Sequence, residues 1–217
     1  MEKKDIPLET AHPEKRLKRI LLNIRSFLPL ILSHHPNCSH FNGHTIKIKK
    51  ARFCIGCFVG YPTTIVSMML IGFFNLHNII EGDIMLIFGI AFVSTFILSL
   101  LNLTKIKIIK IIQKFLIGLG SALLFWGIIK LPNHISLNII IAFTTLTILV
   151  VLLNVYHTYG FYRTCIKCET PLNWASCDGF ASIRGDLMKY DLNNVFESFG
   201  ELSANILLKR EKKEKKD

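Results

Sequence analysis

Three stretches of this sequence, 55–76, 84–104 and 135–156, contain no Asp, Glu, Lys or Arg. A helix needs ~20 apolar residues to cross the hydrocarbon core of a bilayer, and each stretch meets that length. A fourth stretch, 115–129, is uncharged between Lys114 and Lys130. Ile111, Ile112 and Leu131 extend it, and the two lysines can snorkel to the headgroups. Inside lipid every backbone N–H and C=O must be paired within the chain, so such stretches fold as helices. The reading is an all-α integral membrane protein, a four-helix transmembrane bundle with spans near 55–76, 84–104, 112–131 and 135–156. Composition agrees: 51% of the residues are hydrophobic and the mean hydropathy is +0.42, more than a soluble domain of 217 residues requires.

The formal net charge of +11 is distributed in blocks. Before the first span lie eleven Lys and Arg, and after the fourth lie ten. The loop between spans two and three carries Lys105, Lys107, Lys110 and Lys114. The other two loops carry only Lys130, against Glu81 and Asp83. The positive-inside rule then places both termini and the middle loop in the cytoplasm, which requires an even number of spans. This pattern describes a multi-pass protein of the cell membrane, with the lipid bilayer as its partner and no nucleic acid expected. The opening "MEKKDIPLETAHPEKR" has no short apolar h-region and no small-residue cleavage site, so the first ~50 residues are expected to stay in the mature protein.

The flanks repeat one theme. Residues 13–33 set Leu17, Ile20, Leu21, Ile24, Phe27, Leu28 and Ile31 at helical spacing among basic residues. Residues 1–33 are therefore expected to provide an amphipathic helix at the inner membrane surface or against the bundle. Residues 181–217 are expected to form a cytoplasmic helix over about 186–210 and a solvated charge run, "KREKKEKKD". Gly56/Gly60 and Gly118/Ala122 are small-residue pairs that allow close helix approach in lipid.

All six cysteines lie outside the apolar interior of the spans: Cys38, Cys54 and Cys57 before or at the first, and Cys165, Cys168 and Cys177 after the fourth. By the charge count all six face the cytoplasm, where thiols stay reduced and metal ligation is favoured over disulfides. Two motif segments follow, 34–57 and 158–180. "CIGC" and "CIKC" have the CxxC spacing that lets two thiolates grip one ion from a tight turn. Two ligand sets satisfy the spacing. In a local set, His35, Cys38, Cys54 and Cys57 form an HxxC-x15-CxxC pattern. In a shared set, Cys54, Cys57, Cys165 and Cys168 hold one tetrahedral zinc, with Cys38, Cys177 and nearby histidines left for a second site. Either makes a zinc-knuckle-like module at the cytoplasmic face. His40 and His44 read as surface histidines, and His77, His134 and His157 as interfacial ones.

The run "HPNC…FNGHTIKIKKARFCIGCFVGYPTT" resembles a family of small bacterial and archaeal membrane proteins known as domain of unknown function 2085. Cys38, Cys54, Cys57 and Gly60 occupy the corresponding positions of its CxRCxGxYxG-type motif. Gly56 stands where the family has Arg, and His35 precedes Cys38 where the family's His follows its Cys. The resemblance spans about residues 30–160 and implies a multi-pass membrane protein without a defined activity.

No HExxH, GxSxG or phosphate-cradling glycine loop is present. Spans one, two and four hold no ionisable Asp, Glu, Lys or Arg for an ion path. Asn102, Asn138 and Asn154 suit helix–helix hydrogen bonds. The expectation is a scaffold or adaptor with a structural zinc and a protein partner at the cytoplasmic face. The alternatives are a membrane thiol–disulfide oxidoreductase using the CxxC pairs and a metal-regulated sensor or transport component.

Overall fold

In the computed structural model, the described residues are 13–49, 51–101, 103–168, 171–174, 176–190, 192, 208 and 212. Asn102, Glu169, most of the expected C-terminal helix and most of the charge run lie outside them. The chain divides into two compact units: residues 39–164, and the two flanks 1–38 and 165–217 taken together.

The 39–164 unit opens with a 3-10 turn, Ser39–His44, and an antiparallel hairpin of β1 (Thr45–Ile48) and β2 (Ala51–Cys54). The all-helical expectation did not include this hairpin. Its source is local: "TIKI" alternates polar and apolar side chains, the period of a strand. Lys49 takes the left-handed φ of 53° that a two-residue hairpin connection needs. Thr45 pairs with Cys54 and Ile46 with Phe53. The hairpin therefore delivers Cys54 buried at its end.

Four helical segments long and apolar enough to cross a membrane follow: Gly56–Phe73, Gly82–Leu100, Lys107–Ile129 and Ile135–Ile166. The first begins as a π-helical turn, Gly56–Gly60, and continues as α2 (Tyr61–Phe73), with Pro62 in its first turn, where a missing N–H costs least. It stops at Phe73, short of the expected 76, because Asn75 adopts a left-handed turn before the short α3 (Leu76–Ile79). The second comprises α4 (Gly82–Ser94) and α5 (Ile97–Leu100). Between them the Thr95 hydroxyl donates to the Phe92 carbonyl at 2.6 Å, competing with the helical ladder at the break.

The third, α6 (Lys107–Ile129), begins before the expected 112 and ends short of the expected 131, and the fourth, α7 (Ile135–Ile166), runs on past the expected 156. α6 looked the weakest span by sequence, yet 39% of its apolar window is buried, against 6%, 17% and 11% in the others. Small residues explain this. A Cβ on Gly118 would lie 2.6 Å from the Gly60 carbonyl oxygen, and one on Gly120 would lie 2.9 Å from that of Gly89. Both helices meet α6 backbone to backbone, as dispersion-driven packing in lipid favours. Ile71, Met85 and Ala122 form the buried centre of these contacts.

Polar ties hold the remainder. Gln113 donates to the Thr95 carbonyl at 2.8 Å and exchanges hydrogen bonds with Ser99. Tyr61 donates to Asn154 at 3.2 Å, and Tyr156 donates to the Ser99 carbonyl at 2.8 Å. Asn138 donates to the Ile129 and Leu131 carbonyls, closing the end of α6. The 32 residues of α7 span ~48 Å at 1.5 Å per residue, beyond a ~30 Å hydrocarbon core.

The flanking unit joins α1 (Pro13–Ser33) to α8 (Ala181–Lys189). Phe180, Ile183, Leu187 and Leu192 form its core, against Leu22, Phe27, Leu30 and Trp174. α1 is oriented against its own pattern. Leu17, Ile20, Leu21, Ile24, Leu28 and Ile31 form one apolar stripe, and all are exposed. Buried Ser26 and Ser33 lie on the opposite face, with Leu22 and Leu30 of the core beside them. Their hydroxyls donate to the Leu22 and Pro29 carbonyls of the helix itself.

Candidate metal centre

The structure distributes the six thiols as two and four. All are free cysteines. Cys54 and Cys57 belong to the 39–164 unit, whereas Cys38, Cys165, Cys168 and Cys177 belong to the flanking unit. Both ligand sets read from spacing therefore draw on both units.

In the 39–164 unit the hairpin ends at Cys54 and the π turn carries Cys57 one turn on. The Cys57 thiol hydrogen-bonds to the Cys54 sulfur. The Lys114 ammonium of α6 acts on both thiols, and the Lys114 side chain passes beside Gly56. The Cys54 sulfur and a ring nitrogen of His157 on α7 lie within 4.8 Å of each other. His157 reads as interfacial from its place at a span end, and its position 103 residues after Cys54 gives no spacing signal. Its signal, in hindsight, is that α7 and the hairpin carry the chain past the apolar spans on one side. A thiol and an imidazole are soft and borderline donors suited to zinc-like ions.

In the flanking unit Cys165 lies in the last turn of α7, and the Cys168 N–H donates to the Cys165 carbonyl at 3.3 Å, closing the CxxC turn. Residues 36–38 lie against the Cys177 turn: the Asn37 N–H donates to the Gly179 carbonyl at 2.9 Å. A side chain at Gly179 is excluded, because its Cβ would lie 2.6 Å from Cβ of Pro36. Cys165 feels the charges of Cys177, Cys38 and Cys168, and Cys177 feels those of Cys38 and Cys168. The backbone N–H groups of Gly179 and Phe180 donate to the Cys177 sulfur. Burial pushes the Cys177 thiol above the ordinary cysteine range and the neighbouring thiols add to this, while the two amides oppose it. Arg184 clamps the turn from behind, donating to the Cys177 carbonyl at 2.7 Å and to the Trp174 carbonyl at 3.1 Å.

His35 lies in the same unit and is buried. Its backbone is fixed by Ser33, whose hydroxyl donates to the His35 carbonyl at 2.7 Å and accepts its N–H at 3.3 Å. His40 and His44 are exposed, and His77 stacks on Trp126 at 4.4 Å.

Searches of family models, curated proteins and solved structures return no match to the chain. The functional reading therefore rests on the residues and their geometry.

Proposed function

We propose that the protein is a multi-pass membrane scaffold. Four transmembrane helices anchor it, both termini lie in the cytoplasm, and the flanks form a small zinc-ordered module that presents a surface to a protein partner. One observation carries this reading: α1 turns its more apolar face outward and buries the face bearing Ser26 and Ser33. A module in bulk water does the reverse. A bilayer surface accepts Leu17, Ile20, Leu21, Ile24, Leu28 and Ile31 at the acyl boundary, with Lys18, Arg19 and Arg25 at anionic headgroups. The lysine and arginine distribution supports the cytoplasmic side independently.

The chemistry asked of a metal here is structural. The flanking unit has a core of only a few large side chains, and a core that small is marginal unless metal or disulfides supplement it. The test is sidedness. In inside-out vesicles a membrane-impermeant maleimide should label a cysteine introduced at Lys212 and should miss it in right-side-out vesicles; the opposite pattern would refute the cytoplasmic assignment. Ile24→Glu with Leu28→Glu should leave the four spans inserted and expose α1 to protease at the vesicle surface.

A second reading is favoured by the Cys57–Cys54 hydrogen bond beside Lys114. That pair would pass two electrons and two protons to a disulfide or quinone acceptor, forming one S–S bond. A Cys54–Cys57 disulfide that forms and reduces reversibly in glutathione buffers would support it.

A further inference from the structure

We propose that Cys38, Cys165, Cys168 and Cys177 together form a four-thiolate site for one Zn²⁺, which closes the flanking unit by joining segments well over a hundred residues apart in sequence. This deepens the scaffold reading and rests on it. It replaces both ligand sets suggested by spacing with a third, in which Cys54 and Cys57 take no part.

Four observations converge. First, all four residues fall in one compact unit, and Cys54 and Cys57 fall in the other. Second, the backbone brings the two sources together: the Asn37 N–H to Gly179 carbonyl bond at 2.9 Å fixes Cys38 beside the Cys177 turn, and only a glycine at 179 permits that approach. Third, Cys165 and Cys177 lie close enough to each other, to Cys38 and to Cys168 for their charges to be felt. Fourth, the Cys177 turn is built for a bound thiolate. The Gly179 and Phe180 amides aim at its sulfur, and such outer hydrogen bonds orient a metal ligand. Arg184, hydrogen-bonded to the carbonyl of Cys177, places a cation near the net negative charge that one Zn²⁺ and four thiolates would carry.

The donor chemistry selects the ion. Four soft thiolate sulfurs are the donor set of structural zinc. Binding breaks four S–H bonds, forms four Zn–S bonds and releases four protons to solvent; nothing is oxidised or reduced. The constraint is also substantial. Structural zinc binds tightly enough to drive folding, and the closed loop between residues 38 and 165 is of the length for which cross-linking removes most chain entropy.

The experiment uses the full chain in detergent under reducing conditions. Elemental analysis should find about one zinc per chain. Cys38→Ser, Cys165→Ser, Cys168→Ser and Cys177→Ser should each lose it, and Cys54→Ser and Cys57→Ser should keep it. Because a ligand variant can fail to fold, the native chain supplies a second readout. Alkylation with mass mapping should show Cys38, Cys165, Cys168 and Cys177 reacting at least ten-fold faster once a chelator is added, with Cys54 and Cys57 unchanged. Zinc lost with Cys54→Ser, or chelator-dependent reactivity at Cys54 or Cys57, would overturn the ligand set and leave the zinc-ordered scaffold standing. Iron in place of zinc would overturn the choice of ion. A native chain free of metal, with all six thiols indifferent to chelator, would overturn the zinc-ordered module itself.

Discussion

Cys54 and Cys57 sit where a hairpin runs into a π-helical turn, while Cys165 and Cys168 sit where the longest helix stops. The spacing of the two pairs is identical, and their surroundings differ in every respect that matters to chemistry. The first pair has a thiol–thiol hydrogen bond, an ammonium and an imidazole within its own unit. The second has two more thiols and a turn whose amides point at sulfur. A CxxC spacing supplies two donors; what completes the set is decided by which distant segments the fold returns to that place.

Predictions that separate the two pairs follow in order of size. The largest effect is expected from Cys177→Ser. It should abolish zinc binding and render the segment from 165 to 190 sensitive to protease, while the helical circular dichroism of the 39–164 unit persists. Cys57→Ser should do neither. If both variants open the same segment, the pairs share one function after all. Next, Gly179→Ala places a methyl against Pro36 and disturbs an amide donor to Cys177. Outer-shell changes of this kind lower metal affinity ~10–100-fold, measurable by competition with a chromogenic chelator. An unchanged affinity would show that the Asn37–Gly179 contact is not needed for the site.

Smaller effects probe the helices that hold the first pair. Gly118→Val drives side-chain carbon into the Gly60 carbonyl at the π turn. Overpacking of this kind costs ~1–3 kcal/mol, seen as a lower unfolding temperature in detergent, and it should leave the zinc content intact. Gln113→Leu removes the bonds to Thr95 and Ser99. Such interhelical bonds average ~0.6 kcal/mol, with a maximum of ~1.7, so a larger loss would indicate a role beyond packing. Gly160→Ala has nothing within 4 Å of the new carbon and should change stability by less than ~0.5 kcal/mol.

The four apolar helices were legible because hydropathy over ~20 residues is a strong signal. Their ranking was not. α6 was judged weakest on its shorter uncharged run, yet its glycines and Ala122 make it the hub, since in lipid small residues rather than apolar bulk determine which helix others pack against. The ends of α7 and α2 were misplaced for a related reason. No proline follows Tyr156 before Pro171, so α7 continues to Ile166, whereas Asn75 tolerates the left-handed turn that stops the first span at Phe73. The hairpin was readable from the alternation in "TIKI", but the neighbouring cysteines drew the reading towards a ligand spacer.

The six cysteines and His35 stand out in the sequence as candidate donors, but which of them share a unit does not. Two clues lay in the sequence. Cys177 follows "CIKC" closely enough to share a turn-rich segment with it, and Asp178–Gly179 behind it offers a tight turn with a glycine. The shared ligand set leaves Cys38 and Cys177 together for a second site. Their proximity depends on residues 36–38 lying against Gly179, a long-range contact that spacing cannot encode.

The most direct test of the central claim is X-ray absorption at the zinc edge on the native full-length chain. The account predicts four sulfur neighbours at ~2.3 Å and no imidazole scattering. One or more nitrogen neighbours at ~2.0–2.1 Å, with histidine ring scattering behind them, would contradict the four-cysteine site and return a histidine to the ligand set.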